Sequence, residues 1–408
     1  MEKLYTHELG LEGVLGRLRR PYSLDQYVEK VRPIVEAVAR EGYPAVRRFS
    51  EEFDGRGFDD PRVGVGEVER AVREVDERVL WALETAARSV RAYHEAIMPR
   101  PVKAGAAALR WVPVERVAVY APGGAKPYPS TVLMAAIPAR VAGSRLVVAV
   151  SPPCGVEGFK VHPLILAAAR VAGVDAVYAV GGAQAIAGLA FSAHPLPRVD
   201  LVAGPGSPYV EAAKLLVSGC VGVDMVAGPS EVAIVADGSA DPLLASYDLL
   251  AQAEHGPLST ALLATPSEEL ASQVSRTVAA VEGEHLGRVV IVVTRSLEEA
   301  ARLVDLYAPE HLEILAEEPL RILGLVGNAG AVSLGEPVAL LDYAAGPSHV
   351  LPTGGSARWR GGLSVYDFLK PVAVASGIAT GKLLEAAMVL ARAEGFEFHA
   401  KSLEVRRG

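Results

Sequence analysis

From residue 117 onward the chain repeats one pattern: a short, almost wholly apolar run, a turn, then a segment with helical spacing. VAVY (117–120), LVVAV (146–150), AVYAV (176–180) and DLVAG (200–204) form a first group of such runs, with helix-like segments such as STVLMAAIPARVAG and GGAQAIAGLAF after them. Runs without polar alternation belong to strands covered on both faces, and strands separated by helices build parallel sheets. EVAIVAD (231–237), TALLAT (260–265), RVVIVVT (288–294), HLEILA (311–316) and GAVSLG (330–335) form a second group. GPSE (228–231) stands between the groups, so the expected fold class is α/β with two successive parallel-sheet domains. With 408 residues, 50% of them apolar and only 6% aromatic, the chain has enough material for such cores.

Ahead of these runs the pattern is helical and charged. Residues 23–42 keep an apolar stripe of Tyr27, Val31, Ile34 and Val38 and stop at Gly42, and a second amphipathic stretch covers about residues 65–98. The expected organisation is a helical N-terminal region (1–112), a first α/β domain (113–229), a second (230–376), and a C-terminal helix and tail (377–408). The last helix is expected at about residues 378–394.

A formal charge of −8 and the absence of any basic tract argue against nucleic acid or an anionic membrane as partner. A cationic small molecule suits that balance better. Cys154 and Cys220 are the two cysteines, too few for a disulfide framework or a multi-cysteine zinc site. No run of about 18 apolar residues occurs and the N-terminus lacks a secretory pattern, so a soluble, cytoplasmic protein is expected.

Three separated stretches carry groups able to bind a borderline metal and move protons. In DLLAQAEHG (248–256), Gln252 and His255 stand three apart on an expected helix and can reach one ion. The same pattern also suits a helix C-terminus, with His255 meeting the last carbonyls and Gly256 as the left-handed residue. Asp342, in DYAAGPSHVLPTGG (342–355) after a strand-like run, offers a carboxylate or a turn-forming side chain. In the tripeptide PEH, Glu310 and His311 form a compact acid/base pair at an element boundary, or a solvated loop pair. His399 in the tail follows Glu394 by five residues. YAPGGAKPYPST (120–131), VGGAQA (180–185) and AGPGSPYVE (203–211) each join a strand to a helix, where open α/β sheets bind ligands. None matches GxGxxG, and no GxxxxGK[ST] loop is present.

Taken in order, VYAPGG, YPSTVLMAAIPA, AVGGAQAIAGLAF, AGPG, DMVAGPSEVAIVAD, DLLAQAEHG, APEHLEI, DYAAGPSHVLPTGG, GLSVYDFLK and AEGFEFHA resemble the histidinol dehydrogenase family. The resemblance implies incomplete, Rossmann-like domains of the aldehyde dehydrogenase type. It implies a four-electron, NAD-linked oxidation of L-histidinol to L-histidine through an aldehyde, the last step of histidine biosynthesis. One zinc ion would be held by Gln252, His255, Asp342 and His399. Glu310 and His311 would be the catalytic pair, and Ser230, His349 and Glu394 would line the substrate pocket with His311 and the zinc ligands. Tyr120, Gln184 and Ser207 would meet NAD. The family also implies a homodimer in which each C-terminal tail enters the neighbour's active site. Two positions depart from its pattern: Ser207 replaces an Asn, and Phe398 replaces a small residue before His399. An ordinary aldehyde dehydrogenase would need an activated cysteine, and neither Cys154 nor Cys220 lies in a matching segment. A binding protein without turnover would have no need of Glu310 and His311 together.

Overall fold

A computed structural model describes residues 1–19, 23–104, 107–123, 126–281, 286–376 and 381–406. Its strands, in chain order, begin with β1 (Glu2–Tyr5), β2 (Val102–Ala104), β3 (Ala107–Pro113), β4 (Arg116–Tyr120), β5 (Leu146–Ser151), β6 (Ala176–Ala179), β7 (Leu201–Ala203) and β8 (Gly222–Val223). They continue with β9 (Glu231–Ala236), β10 (Thr260–Thr265), β11 (Arg288–Val293), β12 (His311–Leu315), β13 (Ala331–Leu334) and β14 (Leu369–Ala375). Two compact units emerge: Met1–Ile97 with Val114–Phe368, and Met98–Pro113 with Leu369–Gly408.

The first unit contains two parallel sheets. One has five strands in the order β6-β5-β4-β7-β8; the other has six, ordered β1-β11-β10-β9-β12-β13. Apart from β1, both follow one winding rule: the earliest strand lies centrally, the next two extend to one side and the last two to the other. The reversal falls between β4 and β7 in one sheet and between β9 and β12 in the other. Burial on both faces explains the apolar runs. Val147, Ala149 and Val150 are inaccessible, and most residues of the helix Pro129–Ala142 behind β4 and β5 are buried. The α/β class and every expected apolar strand are present.

The N-terminal segment departs from a purely helical reading. Four residues after Met1 form β1, which pairs with β11 at the edge of the second sheet. The amphipathic stretch near residues 65–98 is two helices, Val65–Glu74 and Glu77–Ala96, because Asp76 turns the chain out of helix and accepts the amides of Arg78 and Val79 as an N-cap.

In the second unit, β3 pairs antiparallel with β2 and with β14. Val102–Ala104, Ala107–Pro113 and Leu369–Ala375, the last distant in sequence, thus share a sheet. Pro371 in β14 sits on an edge strand, where a missing N–H is tolerated. Helices Gly381–Ala393 and Glu397–Glu404 follow. The expected start of the last helix, near Ile378, lies outside the described residues. Among the described residues, no helix is long and apolar enough to cross a membrane.

Candidate active site

A cavity of about 350 Å³ opens where loops after β4 and β7 of the first sheet face the starts of β9 and β12 in the second. Gln252, His255, Glu310, His311, Asp342 and His349 line it, together with Thr131, Ser207 and Ser230. The first sheet obeys the rule that open α/β sheets bind ligands beyond their carboxyl ends. The second sheet contributes its amino ends instead.

Glu310 precedes β12 and His311 begins it, so the register of the sheet fixes both. The amide N–H of Glu231 on the adjacent β9 donates to Glu310 Oε2 at 2.8 Å. Burial, with Glu231 and Asp342 nearby, pushes the Glu310 carboxyl well above the usual carboxylate range. Burial acts oppositely on a cation, and with His349 and His255 close by it holds His311 at about 3. His311 Nε2 lies 3.3 Å from Asp342 Oδ1, and its buried Nδ1 has no hydrogen-bond partner. Asp342 is raised to about 6 by burial, against the pull of His255. A buried carboxyl that favours its proton beside a neutral imidazole is an arrangement suited to proton transfer.

The carbonyl partners assign tautomers. His349 Nδ1 lies 2.7 Å from the carbonyl of Asp342, which can only accept, so Nδ1 carries the proton and Nε2 accepts from Thr131 Oγ1 at 3.1 Å. His255 Nδ1 lies 3.2 Å from the Ala251 carbonyl by the same logic, leaving the Nε2 lone pair free. The two sequence readings of His255 are compatible: it does meet a last-turn carbonyl, and that bond turns its Nε2 edge away from the helix end. The helix Pro242–Ala253 carries Gln252 and ends before His255, which sits in the following turn. Gln252 is buried, and its amide nitrogen has no partner.

Asp342 lies on a short helix, Val338–Tyr343, and not directly after a strand. The helix starts directly after Pro337, and a four-residue apolar run cannot distinguish the two structures by periodicity. Tyr120 and Gln184 do not line the cavity. Tyr120 is buried at the end of β4, where its hydroxyl accepts the Gly182 amide at 3.1 Å; Gln184 Nε2 donates to Asp54 at 3.2 Å. Ser207 is the residue before the helix Pro208–Val217.

Glu394 and His399 belong to the second unit, where both are exposed. The His399 ring lies 5.2 Å from that of Phe396, and Phe398 is 91% exposed. Among the described residues, no group of three or more His, Cys, Asp and Glu side chains is gathered so as to hold a metal. Gln252, His255 and Asp342 do share the cavity, and the first of these is an amide. Cys154 is buried and Cys220 exposed, and neither lines the cavity.

Sequence reading missed two supports. Thr131, inside the quoted YPST segment, fixes His349; Glu231, inside GPSE, anchors Glu310 through its amide. Only backbone register across two strands reveals the second.

Comparison with known proteins shows the family. The family described as histidinol dehydrogenase matches residues 18–407. The histidinol dehydrogenase of Thermus thermophilus is 48% identical over 95% of this chain and 97% of its own length. That of Archaeoglobus fulgidus is 43% identical over 96% and 98%. The crystal structure of histidinol dehydrogenase from Elizabethkingia anophelis superposes with a TM-score of 0.92, at 29% identity, covering 100% of this chain and 98% of that one. The chain belongs to the histidinol dehydrogenase family.

Proposed function

We propose that the protein oxidises L-histidinol to L-histidine in two NAD-linked steps, completing histidine biosynthesis. One observation carries this reading: Glu310 and His311, adjacent and buried, open on one cavity with Gln252, His255 and Asp342. In the first step neutral His311 accepts the alcohol proton, and the Asp342 carboxylate 3.3 Å away stabilises the resulting imidazolium. In the second, the ionised form of Glu310, which the amide N–H of Glu231 stabilises against its burial, removes a proton from the water that adds to the aldehyde, with His311 assisting again. NAD⁺ supplies the hydride acceptor when bound, and Ser207 with Tyr120 and Gln184 are its proposed contacts. Ser230, His349 and Glu394 are proposed to hold the substrate.

Zinc, when bound, supplies a Lewis-acidic anchor for the substrate's imidazole and amine. The residues present fit it: His255 keeps a free Nε2 lone pair, Asp342 offers a carboxylate, and Gln252 brings an amide, whose oxygen is its ligating atom, to the same cavity. Mixed nitrogen and oxygen ligation suits this ion. His399 is the proposed fourth ligand, supplied by a second copy of the chain in a homodimer with exchanged tails. Leu383 and Leu390, seven residues apart and so on one face of the helix Gly381–Ala393, are both exposed, which supports such a partner.

Adding L-histidinol and NAD⁺ to zinc-loaded protein tests the reading. NADH should form, two molecules for each L-histidine; absence of NADH sinks it.

A further inference from the structure

Beneath the cavity loops lies a buried charge cluster that the proposed chemistry does not use. Glu211, Lys214 and Asp224 are each no more than 1% exposed. Lys214 Nζ lies 2.7 Å from Asp224 Oδ1 and 3.2 Å from Glu211 Oε2, and donates to the Gly204 carbonyl at 3.2 Å. The two carboxylates accept three backbone amides. Glu211 Oε1 takes Gly206 at 3.0 Å, its Oε2 takes Ala227 at 2.9 Å, and Asp224 Oδ2 takes Gly204 at 2.7 Å.

These amides come from two different stretches. Gly204 and Gly206 belong to the loop after β7 that ends in Ser207, and Ala227 to the segment that leads into Ser230. Ser207 and Ser230 both line the cavity. Gly204 itself cannot be replaced quietly: its φ is +114°, and a Cβ there would lie 2.3 Å from the Tyr120 carbonyl oxygen.

We propose that Glu211, Lys214 and Asp224 are positioning residues that fix the separation of the cofactor loop (204–207) from the substrate segment (226–230). A buried ion cluster is a weak source of stability, since apolar side chains of similar size commonly do as well. What it supplies is direction: three of the four carboxylate oxygens each fix one amide, the fourth holds Lys214, and Glu211 spans both stretches. Hydride transfer requires two ligands to meet at contact distance, and a misplacement of about 1 Å can cost roughly 100-fold. The proposal rests on the reading of 204–207 as the cofactor loop and of Ser230 as a substrate contact.

Glu211→Gln is the informative variant. Glutamine has nearly the same shape but one carbonyl oxygen, so it can accept either Gly206 or Ala227; its NH₂ would face the other N–H. The measurement is amide hydrogen exchange with NAD⁺ alone and with L-histidinol alone, beside steady-state kinetics. In the unaltered enzyme NAD⁺ should slow exchange at Ala227 as well as in its own loop, and L-histidinol should slow it at Gly206, because coupling between sites is reciprocal. In Glu211→Gln this cross-protection should vanish and kcat fall roughly tenfold or more, while each ligand still protects its own loop.

If each ligand protects only its own stretch in the unaltered enzyme, the proposal is overturned. A folded Glu211→Gln enzyme with cross-protection and kcat intact overturns it equally. Should that variant fail to fold, cross-protection in the unaltered enzyme decides alone. If NAD⁺ leaves loop 204–207 unprotected, the cofactor assignment itself fails and the proposal with it.

Discussion

A carboxyl and an imidazole on neighbouring residues are useful to a two-step oxidation only if they have separable tasks. Water activation belongs to the aldehyde step alone, so Glu310→Gln should slow oxidation of histidinaldehyde by roughly 100-fold or more while sparing the first hydride loss. His311→Asn should impair both. The first NADH formed from histidinol in a single turnover, set beside oxidation of supplied aldehyde, separates the cases, and equal losses in the two for Glu310→Gln would contradict the assigned roles. The proposed metal site makes a second claim. His255→Asn or chelation should remove histidinol oxidation by more than the roughly 10–100-fold typical of losing a supporting partner at a metal site. Undiminished turnover by metal-free protein would end that assignment. At this scale the sequence showed which groups could do chemistry, because Glu310, His311, Gln252 and His255 stand in compact motifs. It could not show their tautomers, which depend on the carbonyls of Ala251 and Asp342.

Elements were legible where burial left a repetitive trace. β4, β5, β9, β10, β11 and β12 are apolar runs because helices cover both faces of their sheets. β1, β2 and β14 lie at sheet edges and β8 has two residues, too little burial to write a pattern. The Glu211–Lys214 pair has the spacing of an ordinary surface pair on a helix, so nothing in the sequence marks it as buried. The helix Glu77–Ala96 holds a further consequence of burial. His94 is inaccessible, neither ring nitrogen has a hydrogen-bond partner, and burial lowers its pKa from 6.5 to about 4. The unfolded chain therefore takes up a proton between these values that the folded chain refuses. This contribution to stability is intact above pH 6.5 and falls as pH drops toward 4, by about 3 kcal/mol at most. Urea unfolding of the unaltered protein and of His94→Leu across that window should show a shallower pH slope in the variant. Identical slopes would mean that His94 finds a partner when protonated. At the start of the same helix, Asp76→Ala should cost about 1 kcal/mol through the lost amide acceptor, read as a lower unfolding midpoint.

At the scale of the whole molecule, the proposed site needs two chains. Gln252, His255, Glu310, His311 and Asp342 stand in one compact unit; Glu394 and His399 stand in the other, which closed two-fold symmetry allows to serve a neighbour. Consider two inactive homodimers, His311→Asn and His399→Asn, dissociated together and reassembled. In a mixed dimer the His311→Asn chain lends its intact tail to the chain that keeps His311, so one site is complete and the other carries both lesions. Equal amounts mixed at random give about half mixed dimers, each with one working site of two, so activity should return to roughly a quarter of the unaltered enzyme. If each tail instead served its own chain, every site would retain one lesion and no activity would return. With one of the two variants isotopically labelled beforehand, a dimer of intermediate mass establishes that exchange took place, which leaves the recovered activity to report which chain supplies the tail.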